Sequence, residues 1–294
     1  MAQLINILQH NIILFLLLIA IISLVIGSFL NVVICRLPVI LNTAWRLECL
    51  EYLKLPMPPA TQSTTTFNLL TPNSHCPSCH NQLTILQNIP IISFIILQGK
   101  CKHCNTNIAW QYPIVELLSM TLCVLVAWRF GFSLQTLAGC LLTYTLLVQA
   151  VIDYQHTFIP DEITLTMLWL GLLASLIPIF ASSNVSIIGA SCGYLFLWSI
   201  FWLFKLITGK DGMGYGDFKL LAMLGAWLGW QLLPLIIVLS ATLGTIVGIG
   251  LIAFTKHQRS TPIPFGPYLA IAGWIALMYG KTINYAYLTW IGLI

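Results

Sequence analysis

The run Leu146-Leu147-Val148-Gln149-Ala150-Val151-Ile152-Asp153 decides how the chain is read. It closes an apolar stretch that begins at Leu134, about 20 residues long, which is the length a helix needs to cross a hydrocarbon layer about 30 Å thick. It also ends on a carboxylate with no Lys or Arg near it in sequence. Working outward, further apolar runs fill 11–34, 113–128, 163–181, 185–207, 218–228, 232–254 and 264–279. Of the 294 residues, 59% are apolar and 7% charged, and the mean hydropathy is +0.92. Soluble domains carry roughly 25% charged residues, so a soluble enzyme and a disordered chain are both excluded. The fold class expected is an all-α polytopic membrane protein with about eight transmembrane helices in a lipid bilayer. The run 218–228 is short and reaches Leu232 through Gly229-Trp230-Gln231, so it reads as a half-span or as part of one bent helix, and the latter gives seven spans.

Charge placement orients these spans. With eight spans and an external N-terminus, ten basic residues (Arg36, Arg46, Lys54, Lys100, Lys102, Lys205, Lys210, Lys219, Lys256, Arg259) fall on the intracellular side. Only Arg129 and Lys281 fall on the other side, and this asymmetry is the positive-inside pattern. The net charge of +4 comes from 12 basic and 8 acidic residues, too thin a field for nucleic-acid binding. The first run has no preceding Lys or Arg and no small-residue cleavage site, so it reads as a retained helix. Three regions follow: a first transmembrane helix (1–35), a cytoplasmic loop (36–112) and a transmembrane core (113–294). Within the loop, 56–66 is rich in Pro and Thr and reads as an irregular linker. No internal repeat is apparent.

The Cys-bearing half of the loop that follows this linker is too short to build a core of its own, and below about 40 residues a metal or disulfides usually supply the missing stability. Cys76-Pro-Ser-Cys79 and Cys101-Lys-His-Cys104 supply the means. Two Cys-x-x-Cys pairs at this separation match the spacing of a zinc site, in which each pair turns back to offer two thiolates to one tetrahedral ion. A cytoplasmic loop argues against disulfides, because that compartment keeps thiols reduced. Four thiolates close the coordination sphere, so zinc at Cys76, Cys79, Cys101 and Cys104 would be structural. His75, His80 and His103 then read as solvated neighbours. Cys123, Cys140 and Cys192 lie in apolar spans and read as small hydrophobes.

Carboxylates are scarce, and an ionisable residue at the edge of a span is a functional candidate by default. Asp161 follows Pro160 at the head of a span and reads as an N-cap. Asp217 closes Gly212-Met213-Gly214-Tyr215-Gly216-Asp217, where alternating glycines permit unusual backbone and close approaches; on these residues alone it reads equally as an N-cap, with Lys219 a cytoplasmic anchor. The topology puts Asp153 and Asp217 on the same side at similar depth. If the fold brings them together they share a proton, since both cannot ionise cheaply. Such a pair can activate a water and polarise a peptide carbonyl. The chemistry expected is aspartic peptide hydrolysis.

These residues carry a resemblance. Gly214-Tyr215-Gly216-Asp217-Phe218-Lys219 is similar to the Gly-x-Gly-Asp motif of membrane aspartic proteases. With Ile152-Asp153, Ile159-Pro160-Asp161, Gly27-Ser28-Phe29-Leu30-Asn31-Val32, Arg36-Leu37-Pro38, Pro264-Phe265-Gly266-Pro267 and the two Cys pairs, the chain resembles the bacterial type IV prepilin peptidases, or leader peptidase/N-methyltransferases, from about Gly27 to about Trp274. The resemblance implies that Asp153 and Asp217 are the catalytic pair and that the four cysteines hold the cytoplasmic module. It implies a multi-pass protein of the bacterial inner membrane with zinc module and active site facing the cytoplasm. The substrates implied are prepilins and the pilin-like subunits (pseudopilins) of type II secretion, cut after a glycine. Methylation of the new N-terminus with S-adenosylmethionine as donor is also implied. No Gly-rich strand-to-helix loop marks a donor site, and Gly99, Glu48 and Glu51 are its candidates. Two alternatives stand beside this reading: a prepilin peptidase without methyltransferase activity, and an ion-coupled transporter using the same carboxylates.

Overall fold

The computed structural model describes residues 2–56, 67–254 and 263–292. Its elements are helical: α1 (Ala2–His10), α2 (Ile12–Tyr52), α3 (Ile92–Ile96), α4 (Gln111–Phe130), α5 (Leu134–His156), α6 (Asp161–Ala174), α7 (Ser183–Thr208), α8 (Tyr215–Leu228), α9 (Leu233–Phe254) and α10 (Gly266–Trp290). Single 3-10 turns occupy Ile85–Asn88 and Trp230–Leu232. Except for Pro56, the linker expected over 56–66 lies outside the described residues, as do Lys256 and Arg259. Five segments are long and apolar enough to cross a membrane: α2, α4, α5, α7 and Trp230–Leu251. The protein is therefore a multi-pass, all-helical membrane protein, and each of the eight apolar runs contains a helix, although 163–181 continues past the end of α6 at Ala174. At 14 residues each, α6 and α8 reach only about 21 Å.

Contacts divide the chain into two compact units, Met1–Trp128 and Arg129–Ile294. The boundary drawn from sequence at 35/36 falls inside α2, and that at 112/113 falls in the first turn of α4. A proline normally removes one helical hydrogen bond and ends or kinks a helix. Here α2 runs through Pro38 to Tyr52, so the first span and the start of the loop are one helix. Asn11 caps it, its side chain accepting the Leu14 N–H at 3.1 Å. In the first unit α2 meets α4 at Gly27, where an added Cβ would lie 3.0 Å from the Glu116 Cα and collide with Ser119. The Ser119 hydroxyl donates to the Ser23 carbonyl at 2.9 Å, so a small residue and one hydrogen bond fix the crossing.

The second unit is organised around α8. Every residue from Asp217 to Leu228 except Lys219 is buried, as expected of a helix that is apolar all round and enclosed by protein. This is why α8 is short: its neighbours are helices, and it ends at Gly229, whose φ of +86 admits a glycine readily. Gly189 of α7 and Gly225 of α8 place their backbones in direct contact, with Gly193 alongside the Leu221 carbonyl. The Trp227 indole donates to the Met167 carbonyl of α6 at 2.7 Å.

Candidate active site

The two Cys pairs belong to two loops with the same hydrogen-bond pattern, displaced by 25 residues. In the first, Cys76 N–H donates to the Asn81 carbonyl, His80 N–H to Cys76 and Leu83 N–H to Ser74. In the second, Cys101 N–H donates to Thr106, Asn105 N–H to Cys101 and Ile108 N–H to Gly99. His80 and Asn105, at φ +57 and +56, take the left-handed turn in each. The module is thus a structural repeat that the sequence reading missed, because the turn residues match in conformation and not in identity.

These turns bring the four sulfurs within 4.8 Å of one another, with Cys76 and Cys104 Sγ 3.7 Å apart. A Zn–S bond of about 2.3 Å in a tetrahedron separates sulfurs by about 3.8 Å, so the cluster fits a closed four-thiolate metal site. Thr106 sets the Cys104 thiol low, at about 6, through hydrogen bonds from its hydroxyl and its backbone. The Asn81 amide favours the Cys79 thiolate, but burial and the neighbouring thiols push that group up to about 11. No histidine joins the cluster among the described residues, and His75 instead contacts the Asn73 carbonyl at 3.0 Å.

In the second unit, Asp153 lies in the last turn of α5 and Asp217 in the first turn of α8. They are 5% and 6% exposed, a degree of burial that carboxylates tolerate only with compensation. The Gly266 N–H, at the head of α10, donates to Asp153 Oδ2 at 2.9 Å. A Cβ on Gly266 would lie 2.6 Å from that oxygen, so glycine is required for the backbone to approach. Asp217 sits at the positive end of its own helix, and the Asp153 charge is close enough to act on it.

Ile159, from the turn between α5 and α6, packs between the two sides of the site. A Cβ on Gly216 would lie 2.9 Å from Ile159 Cβ, and one on Gly266 would lie 3.0 Å from its Cδ1. None of Gly212, Gly214 and Gly216 has a positive φ, so two of the alternating glycines serve close approach, Gly212 to the Phe204 ring, 2.7 Å from an added Cβ, and Gly216 to Ile159. A side chain at Gly214 would make only ordinary contact, 3.7 Å from Asp217 Oδ2. Asp161 is corrected: Pro160 occupies the N-cap and no side chain caps α6. Asp161 instead pairs with Lys219 at 2.6 Å, tying the head of α6 to the head of α8. Sequence reasoning missed Gly266, Ile159 and this ion pair, although Pro264-Phe265-Gly266-Pro267 and Ile159-Pro160-Asp161 had been singled out as motifs.

The other candidates are dispersed. Glu48 and Glu51 stand exposed near the C-terminal end of α2. Gly99, at φ +69, rests against the Phe94 ring, which a Cβ would approach to 3.1 Å.

Residues 21–130 match the bacterial peptidase A24 N-terminal domain and residues 140–249 match the type IV leader peptidase family. The chain is 51% identical over 268 residues to the prepilin leader peptidase/N-methyltransferase of Stutzerimonas stutzeri, covering 91% of this chain and 92% of the relative. It is 51% identical over 270 residues to that of Pseudomonas aeruginosa, with 92% of each covered. For the protein of that name from Dichelobacter nodosus the figure is 46% over 269 residues, or 89% of this chain and 91% of the relative. No solved structure matches. With two buried aspartates at converging helix ends, a four-thiol module in the preceding unit and relatives matched over nine-tenths of their length, the chain belongs to the type IV leader peptidase family.

Proposed function

We propose that the protein cleaves the leader from prepilins and pilin-like subunits and then methylates the new N-terminus, with Asp153 and Asp217 as the catalytic pair. The observation that carries the peptidase reading is the pair itself. Two buried carboxylates come from different helices, near enough for the charge of one to act on the other, and among the described residues neither has a cationic side chain against it. Two such groups hold one proton between them. The ionised member takes a proton from water as the water attacks the scissile carbonyl, while the protonated member donates toward the carbonyl oxygen. Collapse of the tetrahedral intermediate returns a proton to the departing amine and restores the pair. The Gly266 N–H keeps Asp153 in place, and the Lys219–Asp161 pair holds the heads of α6 and α8 together.

The site belongs at the cytoplasmic face of the inner membrane, where a basic leader emerges next to an apolar helix, and the positive-inside pattern supports that orientation. Cys76, Cys79, Cys101 and Cys104 would hold zinc, which supplies fold stability to the loop and no reactive position. S-adenosylmethionine, when bound, supplies a methyl group to the pilin amine: an N–C bond forms, the S–C bond breaks with its electrons staying on sulfur, and the amine loses one proton. The test is incubation of the purified protein with a prepilin, with and without labelled S-adenosylmethionine. Loss of the leader in both samples, with label on the product only in the second, is the expected result. Cleavage without label points to the peptidase alone, and no cleavage overturns the reading.

A further inference from the structure

The first unit holds a half-open cavity of about 670 Å³ whose walls include neither Asp153 nor Asp217. One wall is a face of α2 that includes Ser28, Asn31 and Cys35; a second is the start of α4 with Tyr112 and Glu116; the cysteine module and Phe94 close the rest. Small-molecule sites have volumes of roughly 300–1,000 Å³ and apolar walls with a few convergent polar groups. Two of the polar groups here are buried and incompletely matched. Asn31 is 2% exposed; its amide N–H donates to the Tyr112 carbonyl at 3.1 Å, yet its Oδ1 accepts from nothing among the described residues. Glu116 is 7% exposed and accepts the Ile91 N–H at 2.8 Å, with Ser28 as a second hydrogen-bond partner. Among the described residues no Lys, Arg or His pairs with it.

A buried carboxylate without a counter-charge and a buried acceptor without a donor are both costly unless something brings the missing groups. The Glu116 bond also holds Ile91, a β-branched residue, at φ +57, a strained conformation of the kind that gathers at binding sites. A ligand with a positive charge to face Glu116, an N–H donor for Asn31 and a flat apolar part to lie along Phe94 and Tyr112 supplies the missing groups, while Arg36, Lys102, His75 and His103, which also line the cavity, suit a carboxylate on the same ligand. An adenosyl sulfonium has all three. We infer that this cavity holds the methyl donor, its cationic centre facing Glu116 and one of its N–H groups donating to Asn31 Oδ1. The inference rests on the methyl-transfer reading above and gives it a place. Gly99 lies behind Phe94, where a side chain would disturb the wall, whereas Glu48 and Glu51 do not line the cavity.

The experiment uses full-length, zinc-loaded protein in detergent and measures labelled S-adenosylmethionine by equilibrium dialysis, followed by photo-crosslinking and peptide mapping. Label is expected on peptides from 28–39 and 91–116. Glu116→Gln, which keeps the shape, weakens binding about tenfold to a hundredfold through loss of a charged contact. Val32→Trp, which fills the cavity from α2, removes it. Zinc content equal to wild type verifies the fold of both variants. Label elsewhere, or wild-type affinity in both variants, overturns the location while leaving methyl transfer intact. Loss of affinity for a pilin peptide with a free N-terminal Phe, without loss for the donor, overturns it too, since the cavity would then hold the acceptor. A wild type that binds no donor and methylates no pre-cleaved pilin fails on the functional reading itself.

Discussion

Around the four thiols, backbone hydrogen bonds of two short loops set the position of each sulfur, and Cys104 is exposed. Around Asp153 and Asp217 helix ends have that role, the end of α5 and the heads of α6, α8 and α10, joined by a glycine amide, one ion pair and Ile159 from the turn between α5 and α6. As a metal site, the first arrangement would depend on the ion to hold four like groups together, because a small loop has little apolar surface to bury. The second needs none, because the helix packing of the second unit supplies the energy that keeps two carboxylates out of water. A metal-dependent fold and a packing-dependent site should fail under different insults.

Removing one thiol is the severest way to separate them. Cys76→Ser or Cys101→Ser should lose the bound metal outright and expose 67–110 to protease, since structural zinc sites contribute on the order of 10 kcal/mol of folding energy. Elemental analysis and limited proteolysis read this, and retention of stoichiometric metal by either variant would show that the cluster is not a four-thiolate site. Acid should act in the same direction. Thiols must shed protons to bind metal, so the metal is lost progressively as pH falls, and chelator-driven release should quicken from roughly pH 8 to pH 5.

Next in size is damage to the packing of the aspartates. Gly266→Ala puts a carbon 2.6 Å from Asp153 Oδ2, and a displacement of about 1 Å at a reacting group costs about a hundredfold in rate. Gly216→Ala meets Ile159 at 2.9 Å and should be nearly as harmful, whereas Gly214→Ala, at 3.7 Å, should be tolerated. Cleavage rates at equal metal content rank the three, and a harmful Gly214→Ala with a benign Gly216→Ala would contradict the packing account. The smallest effect belongs to Asp161→Asn. The pair with Lys219 is half exposed on the Asp161 side, so its loss should cost no more than about 1 kcal/mol and leave cleavage within a few-fold of wild type.

The cysteine ligands were legible because a Cys-x-x-Cys turn is local: neighbours in sequence are neighbours in space. The two aspartates stood out as candidates for a different reason, being scarce carboxylates at the ends of apolar runs, where an ionisable group is costly, and the structure buries both. What could not be read was whatever joins distant segments. Gly266 and Asp153 are 113 residues apart and Lys219 and Asp161 are 58 apart, and no periodicity links them. The end of the first apolar run at Ile34 did not mark the end of its helix, since α2 runs on through Pro38 to Tyr52. Glu116 fell inside an apolar run that reads simply as a span, and only the cavity beside it singles it out.

The central claim is that Asp153 and Asp217 perform peptide hydrolysis independently of the metal module. The most direct measurement takes leader cleavage and bound zinc from the same preparations of wild type, Asp153→Asn and Asp217→Asn. Asparagine keeps the shape and cannot exchange the proton, so each variant should retain full zinc, still methylate a pre-cleaved pilin, and cleave at least about a thousandfold more slowly. Substantial cleavage by either variant, or loss of zinc together with cleavage, would contradict the account.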